Sequence, residues 1–356
     1  MGKQRMTVLD IRAVVSELRT RLAGLRLANV YDVSPRLYLL KFSRPGVKEL
    51  LLVESGVRIH TTKFSRDKSA IPSGFSMKLR KHIRTRRLES IDQLGSDRVV
   101  DMTFGMGETK HHLICELYDK GNVVLTDGDY TILTLLRAHK HDSTVPITMV
   151  VGQRYTAEAS GIRQSIRRLD LPALRATLGE GAASGDVSVK QHLSANTDVG
   201  PVLVEHCLLT AALPGKTPCS RALEPELAEA LQQLAVALEN SCSLLEQMAA
   251  GPQVTGGSKG YIVLKPQSGA VAERQGDAGD TVADREFDDV VPILLAQHQA
   301  RETQVLSSFD GEFSLLWLLS CVFVATDVGC TDCRGPGPVL FPTRCQAIYR
   351  LDRQID

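Results

Sequence analysis

The 356-residue sequence predicts an α+β chain: a β-sandwich carrying two helices, followed by a helical module. Apolar residues recur at helical spacing within the first 23 positions. Short apolar runs bounded by Gly, Pro or Ser follow one another from residue 27 to residue 137, and helical patterns replace them beyond Pro146. With 43% hydrophobic residues the chain can bury a sizeable core, and its composition is too balanced for a disordered protein.

From Thr7 to Ala23, the side chains Ile11, Val14, Val15, Leu18 and Leu22 line one face of an amphipathic helix with Thr7 as its N-cap. Strands are expected at Leu27 to Val33, Leu37 to Phe42, Glu49 to Val53 and Val57 to Thr61. A second helix interrupts them: Ser73 caps it, Phe75, Leu79 and Ile83 face the core, and the cations from Lys78 onward cover its exposed sides. Strand signals resume at Arg87 to Leu94, Val99 to Phe104, His112 to Tyr118, Asn122 to Thr126 and Thr131 to Arg137, with a hairpin turn at Lys120-Gly121-Asn122. Beyond Pro146, helices are expected around Gly161 to Arg168, Pro172 to Leu178, Gly200 to Leu209 and Pro225 to Met248. A stretch rich in Gly, Asp and Ser then surrounds one strand-like run, Tyr261 to Leu264. The resulting partition is a sandwich at 1–145, a helical module at 146–250, a loop-rich segment with a short strand at 251–311, and a divergent, poorly packed tail at 312–356 without heptads or helical periodicity.

Several function classes lack their signatures. The start has no leader-like apolar stretch, and the longest apolar run, Phe313 to Ala325, is 13 residues against the roughly 20 that a spanning helix needs, so a soluble, non-secreted protein is expected. No Gly-x-Ser-x-Gly elbow, GxxxxGK[ST] loop or His-Glu-x-x-His motif is present. Cys115, Cys207, Cys219 and Cys242 read as isolated buried thiols. Cys330 and Cys333 have Cys-x-x-Cys spacing but no second pair, so neither a metal nor a cofactor is expected.

Charge is the informative quantity. The formal total is +1, yet residues 1–100 hold 21 Lys and Arg against 9 Asp and Glu, a net of +12, which leaves −11 for the remainder. The densest run, Lys78 to Arg87, places Lys78, Arg80, Lys81, Arg84, Arg86 and Arg87 within ten positions. A charged helix face is ordinarily just solvated, but this clustering fits a phosphate backbone, and these six are the candidate RNA-backbone contacts. Asp97 and Arg98 stand where the pattern calls for a turn between strands. They form either a local ion pair or a base-reading pair, with Asp97 accepting from base amino groups and Arg98 stacking or forking onto phosphate. Asp10, three positions after Thr7, reads from spacing alone as the second half of a capping box.

Several runs together resemble the NFACT family: Asp10-Ile11-Arg12-Ala13, Asn29-Val30-Tyr31-Asp32, ESGVRIHTT from Glu54 to Thr62, and Met77-Lys78-Leu79-Arg80-Lys81-His82. Further on come LGSDRVVD from Leu94 to Asp101, ELYDKGNVVLTD from Glu116 to Asp127, GPVLVEHCLL from Gly200 to Leu209, and Lys259-Gly260-Tyr261-Ile262. The resemblance implies a sandwich similar to that of formamidopyrimidine-type DNA glycosylases, a helix-hairpin-helix module within 146–250, and then coiled-coil arms. It also implies a non-enzymatic RNA-binding adaptor of ribosome quality control. Such proteins bind stalled large ribosomal subunits holding peptidyl-tRNA, help a Listerin-type ubiquitin ligase dock, and recruit charged tRNA, alanyl-tRNA above all, for carboxy-terminal tailing by the ribosome. The implied location is the cytoplasm, with the nucleus as a further one.

Carried onto this sequence, the family's tRNA-recruiting positions match Asp10, Asp97 and Arg98, which displaces the capping-only reading of Asp10. These three and part of the basic helix are expected to share one face. The family pattern fades after about Glu312, where heptads should begin, which suggests a shortened product or a fragment competing with the full protein. A glycosylase or lyase reading meets an obstacle at Met1-Gly2-Lys3, which offers neither the amino-terminal Pro nor the neighbouring Glu of such enzymes.

Overall fold

The computed structural model describes residues 5–63, 66–140, 148–156, 166–250, 259–265 and 287–310. Helix α1 (Val8–Leu22) begins as its spacing requires: the Asp10 amide donates to Thr7 Oγ1 at 3.2 Å, while the Asp10 carboxylate accepts from the Thr7 amide at 2.7 Å and its hydroxyl at 2.8 Å. This reciprocal box satisfies donors that the first helical turn leaves without intrahelical partners.

Two antiparallel meanders follow. Strands β1 (Arg26–Ser34), β2 (Leu37–Arg44), β3 (Val47–Glu54) and β4 (Arg58–Thr61) form the first sheet in chain order. Strands β5 (Leu88–Gln93), β6 (Val99–Phe104), β7 (His111–Glu116), β8 (Asn122–Asp127) and β9 (Ile132–Leu135) form the second. Strand alternation sends Val100, Met102 and Phe104 into the core shared with Leu40, Phe42, Leu51 and Val53, where the rings of Phe42 and Phe104 lie nearly parallel at 6.2 Å. The other face of the second sheet carries Val99, Ile114, Val124 and Ile132 and is packed by Tyr155. The segment bearing Tyr155 pairs with the sheet beyond β9, the Tyr155 amide donating to the Tyr130 carbonyl at 2.8 Å. Two short strands, β10 (His139–Lys140) and β11 (Thr148–Met149), pair with each other.

Helix α2 (Gly74–Ile83) crosses the first sheet over β1. Asp32 on β1 explains its start: the carboxylate accepts from the Ser73 amide at 3.1 Å, the Ser73 hydroxyl at 2.6 Å and the Ser76 hydroxyl at 2.9 Å, placing negative charge at the positive end of the helix. The edge of Phe75 against Tyr38, at 5.4 Å, seats the helix on the sandwich.

The helical part comprises α3 (Leu171–Ala183), α4 (Val189–Asn196), α5 (Gly200–Thr210), α6 (Cys219–Ala222) and α7 (Ala228–Ala250). Helix α4 was not expected; its short apolar face, Val189 and Leu193, is too sparse to stand out in sequence, and Ser188 caps it. Of the helix expected around Gly161 to Arg168, residues 161–165 lie outside the described residues and 166–168 are not helical. Instead of one strand near Tyr261 there is a three-stranded sheet, with β12 (Gly260–Leu264) between β13 (Phe287–Val291) and β14 (Thr303–Leu306). The expected poorly packed tail and the Cys330–Cys333 pair lie outside the described residues. Among the described residues no helix is long and apolar enough to cross a membrane, and Cys115, Cys207, Cys219 and Cys242 are buried free thiols.

The amphipathic α1 of the sequence is buried almost all round, because it lies between β5 and α7. Several of its polar side chains find partners on other elements, which offsets the cost of burying them. Arg12 donates to the Gly95 carbonyl at 2.7 Å, and burial, with Arg19 nearby, lowers its pKa to about 10. Arg19 reaches the Ile91 carbonyl at 2.8 Å, Asp92 at 2.6 Å and the carbonyl of Ala249.

Candidate nucleic-acid interface

The turn between β5 and β6 carries Asp97 and Arg98, both half-buried. The Asp97 carboxylate accepts from the Arg98 amide at 2.6 Å, and the Arg98 carbonyl accepts from the Leu117 amide at 2.8 Å. The turn itself is closed by the backbone, the Asp97 amide donating to the Leu94 carbonyl at 3.3 Å and the Leu94 amide to the Val99 carbonyl at 2.9 Å. Burial lowers the Arg98 guanidinium below the usual arginine value and Arg5 adds to this, while Asp97 counteracts both.

One side chain joins this turn to the start of α1. Gln93 Nε2 donates to the Asp97 carbonyl at 2.6 Å and to the Val8 carbonyl at 3.4 Å, while Arg12 anchors Gly95 from the next helical turn. The Asp10 helix end and the Asp97–Arg98 turn thus adjoin. Asp10 itself is 1% exposed, its carboxylate taken up by the cap. Behind the turn, Glu116 accepts from the Tyr155 hydroxyl at 3.1 Å. Burial raises the Glu116 pKa, hydrogen bonds from Tyr155 and Tyr118 oppose this, and the nearby Asp97 adds to it.

The basic run is distributed differently from the expectation of one shared face. Gly24, just past α1, donates to the Leu88 carbonyl at 2.8 Å, so the end of α1 meets the start of β5, while its beginning meets the far end at Gln93. Strand β5 has six residues and separates these ends by about 20 Å. Arg84, Arg86 and Arg87 immediately precede Leu88, so they sit at the opposite end of β5 from Asp97 and Arg98.

Nor are the six cations equivalent. Lys78, Lys81, Arg84 and Arg87 are exposed. Arg80 is drawn down onto β1, donating twice to the Val30 carbonyl at 2.8 and 2.5 Å beneath the Tyr31 ring. Arg86 is half-buried and donates to the His82 carbonyl at 2.7 Å. Sequence spacing missed Lys68, whose ammonium lies 4.5 Å from the Tyr31 ring centre, and the pair His82 and His111, with rings 5.3 Å apart. Burial lowers the His82 pKa first, and His111, Lys81 and Arg86 add to it, which marks a strongly positive locality. Among the described residues no group of three or more His, Cys, Asp or Glu is arranged to hold a metal.

Comparison with known proteins assigns this architecture. A family model described as NFACT N-terminal and middle domains matches residues 7–285, and the chain belongs to that family. The chain is 37% identical over 308 residues to the human ribosome quality control complex subunit NEMF, covering 86% of this chain and 27% of that protein. It is 44% identical over 213 residues to the NEMF homolog of Drosophila melanogaster, covering 59% of this chain and 21% of the homolog. The chain therefore spans about a quarter of the length of these relatives. Among solved structures, the fibrinogen binding protein from Staphylococcus aureus shares the fold, with a TM-score of 0.51 at 14% identity over 87% of this chain and 98% of that one.

Proposed function

We propose that this chain is an RNA-binding adaptor of ribosome quality control that recruits tRNA through the α1 start and the Asp97–Arg98 turn. The observation that carries this reading is the Gln93 bridge: positions 10 and 97–98, far apart in sequence, adjoin through bonds from one amide to the Val8 and Asp97 carbonyls. The names of the relatives set the process, ribosome quality control. Within it the large subunit with its peptidyl-tRNA is the platform, charged tRNA such as alanyl-tRNA is the cargo, and the ribosome makes any peptide bond. Lys78, Lys81, Arg84 and Arg87 add sequence-independent phosphate contacts. Docking of a Listerin-type ligase and a cytoplasmic location belong to the same reading, as does a helix-hairpin-helix role for the helices between 146 and 250.

The test is tRNA affinity for the chain and for its Asp97→Ala/Arg98→Ala variant across several tRNAs and salt concentrations. The variant should lose roughly 1 to 3 kcal/mol of preference among tRNAs, as base-reading groups do, while the salt slope changes by no more than about one. Unchanged discrimination would remove the pair from recognition.

A further inference from the structure

Two arginines that no spacing rule singles out converge on one peptide carbonyl, that of a lysine. In the turn between β7 and β8 the Lys120 carbonyl accepts from Arg36 Nη2 at 3.0 Å and from Arg137 Nη1 at 2.8 Å. The two guanidinium nitrogens are therefore within about 6 Å of each other. Lys120 itself adds an ammonium on the exposed turn. None of the three forms an ion pair with a described residue, and the adjoining acid Asp119, also exposed, pairs with none of them. Like charges gathered this closely repel, and an anion between them would relieve the repulsion.

The turn is also held rigidly. Gly121 has φ of +68°, and a Cβ there would lie 1.9 Å from the Gly56 nitrogen, so the backbones of the two turns touch. Gly56 donates to the Glu116 carbonyl at 3.1 Å, and Arg36 reaches the Ser55 carbonyl at 3.3 Å as well. One residue beyond Glu116, Leu117 donates to the Arg98 carbonyl, so the turn that gathers these cations adjoins the Asp97–Arg98 turn.

We infer that Arg36, Lys120 and Arg137 form a preorganised site for the phosphodiester backbone of RNA, on the same end of the sandwich as Asp97 and Arg98. It rests on the tRNA reading above and adds to it the groups that bind phosphate beside the base-reading pair. Two guanidiniums tied to one carbonyl, each through a single terminal nitrogen, keep further N–H donors, and forks of such donors suit phosphate oxygens.

The experiment titrates the chain, an Arg36→Gln/Arg137→Gln variant and a Lys120→Glu variant with tRNA and with a generic RNA duplex, each over a range of salt. Gln keeps an N–H donor for the Lys120 carbonyl while removing the charge, and circular dichroism melts check the fold. The double variant should bind both RNAs roughly three- to tenfold more weakly at low salt, with the slope of log affinity against log salt shallower by about two. Lys120→Glu should weaken binding to both RNAs while raising the melting temperature at low salt, since it supplies the missing countercharge. Parent-like affinity and slope in both variants would overturn the site, leaving the arginines as clamps of the turn. A parent that prefers tRNA while these variants bind normally defeats only the phosphate site. A parent that binds duplex as well as tRNA, with both weakened in the variants, defeats only the tRNA reading, and a parent that binds neither defeats both.

Discussion

Asp10 has two claims on it: its carboxylate holds the cap of α1, and the family resemblance ties it to tRNA. Substitution separates them. Asp10→Ala removes the acceptor and should cost about 1 to 2 kcal/mol, as lost caps do. Asp10→Asn keeps an acceptor oxygen and should cost less. If tRNA binding in Asp10→Asn stays at the parent level while Asp10→Ala loses binding only in proportion to its melting temperature, the carboxylate acts through the fold alone. Thr7, Asp10 and Ser73 were legible in sequence because a cap and its helix lie within a few residues of each other. Arg12 was not, since its carbonyl partner is Gly95, 83 residues away. Arg36 and Arg137 were hidden for the same reason, whereas the Lys120-Gly121 turn that gathers them carries its own local glycine signal.

At the scale of the element, α2 shows why a charge run overstates an interface. Its spacing announced a helix with a basic face, and the helix is there. Nothing in the run distinguishes Arg80, held by the Val30 carbonyl on β1, from Lys81, which is exposed. The two should part on mutation. Lys81→Gln with Arg87→Gln should leave the melting temperature within a degree or so and lower the salt slope of RNA binding by up to about two. Arg80→Gln should lower the melting temperature, because it removes two charge-assisted bonds to a β1 carbonyl and the cover of Tyr31. Equal effects of both changes on melting would mean that the contact with Val30 carries no stability. The strands of both meanders were legible through turns and alternation, but the three-stranded sheet was not: β13 and β14 flank stretches of Gly, Asp and Arg, and only pairing with β12 makes them strands.

For the whole molecule, α1 joins parts of the chain that sequence gave no reason to connect. Glu17 accepts from the Ser308 hydroxyl at 2.6 Å, the Phe309 amide at 3.0 Å and the Asp310 amide at 3.1 Å. Asp310 is fully buried, accepting from the Thr61 amide at 2.8 Å and from Arg21 at 2.9 Å, and Arg21 also pairs with Glu49 at 2.9 Å. Burial pushes the Asp310 carboxyl above its ordinary value, and Arg21 is among the groups that hold it down. Replacing Arg21 by Met leaves that carboxylate without its cation and should destabilise the chain by about 3 to 5 kcal/mol near neutral pH, the usual consequence of breaking a buried pair. The sign of the pH dependence follows from linkage. With Arg21 gone the folded-state pKa of Asp310 rises further above its unfolded value, so the folded form disfavours the charge that the unfolded chain carries freely. The deficit relative to the parent is therefore largest well above the carboxylate range and shrinks as the pH falls toward the unfolded pKa of about 4, where Asp310 is protonated in the folded variant. Paired thermal melts of parent and Arg21→Met from pH 7.5 down to 4.5 should show the two curves converging. A gap of constant size across that range would mean that Arg21 stabilises the junction by packing, and that its charge contributes nothing to holding residues 308–310 against α1.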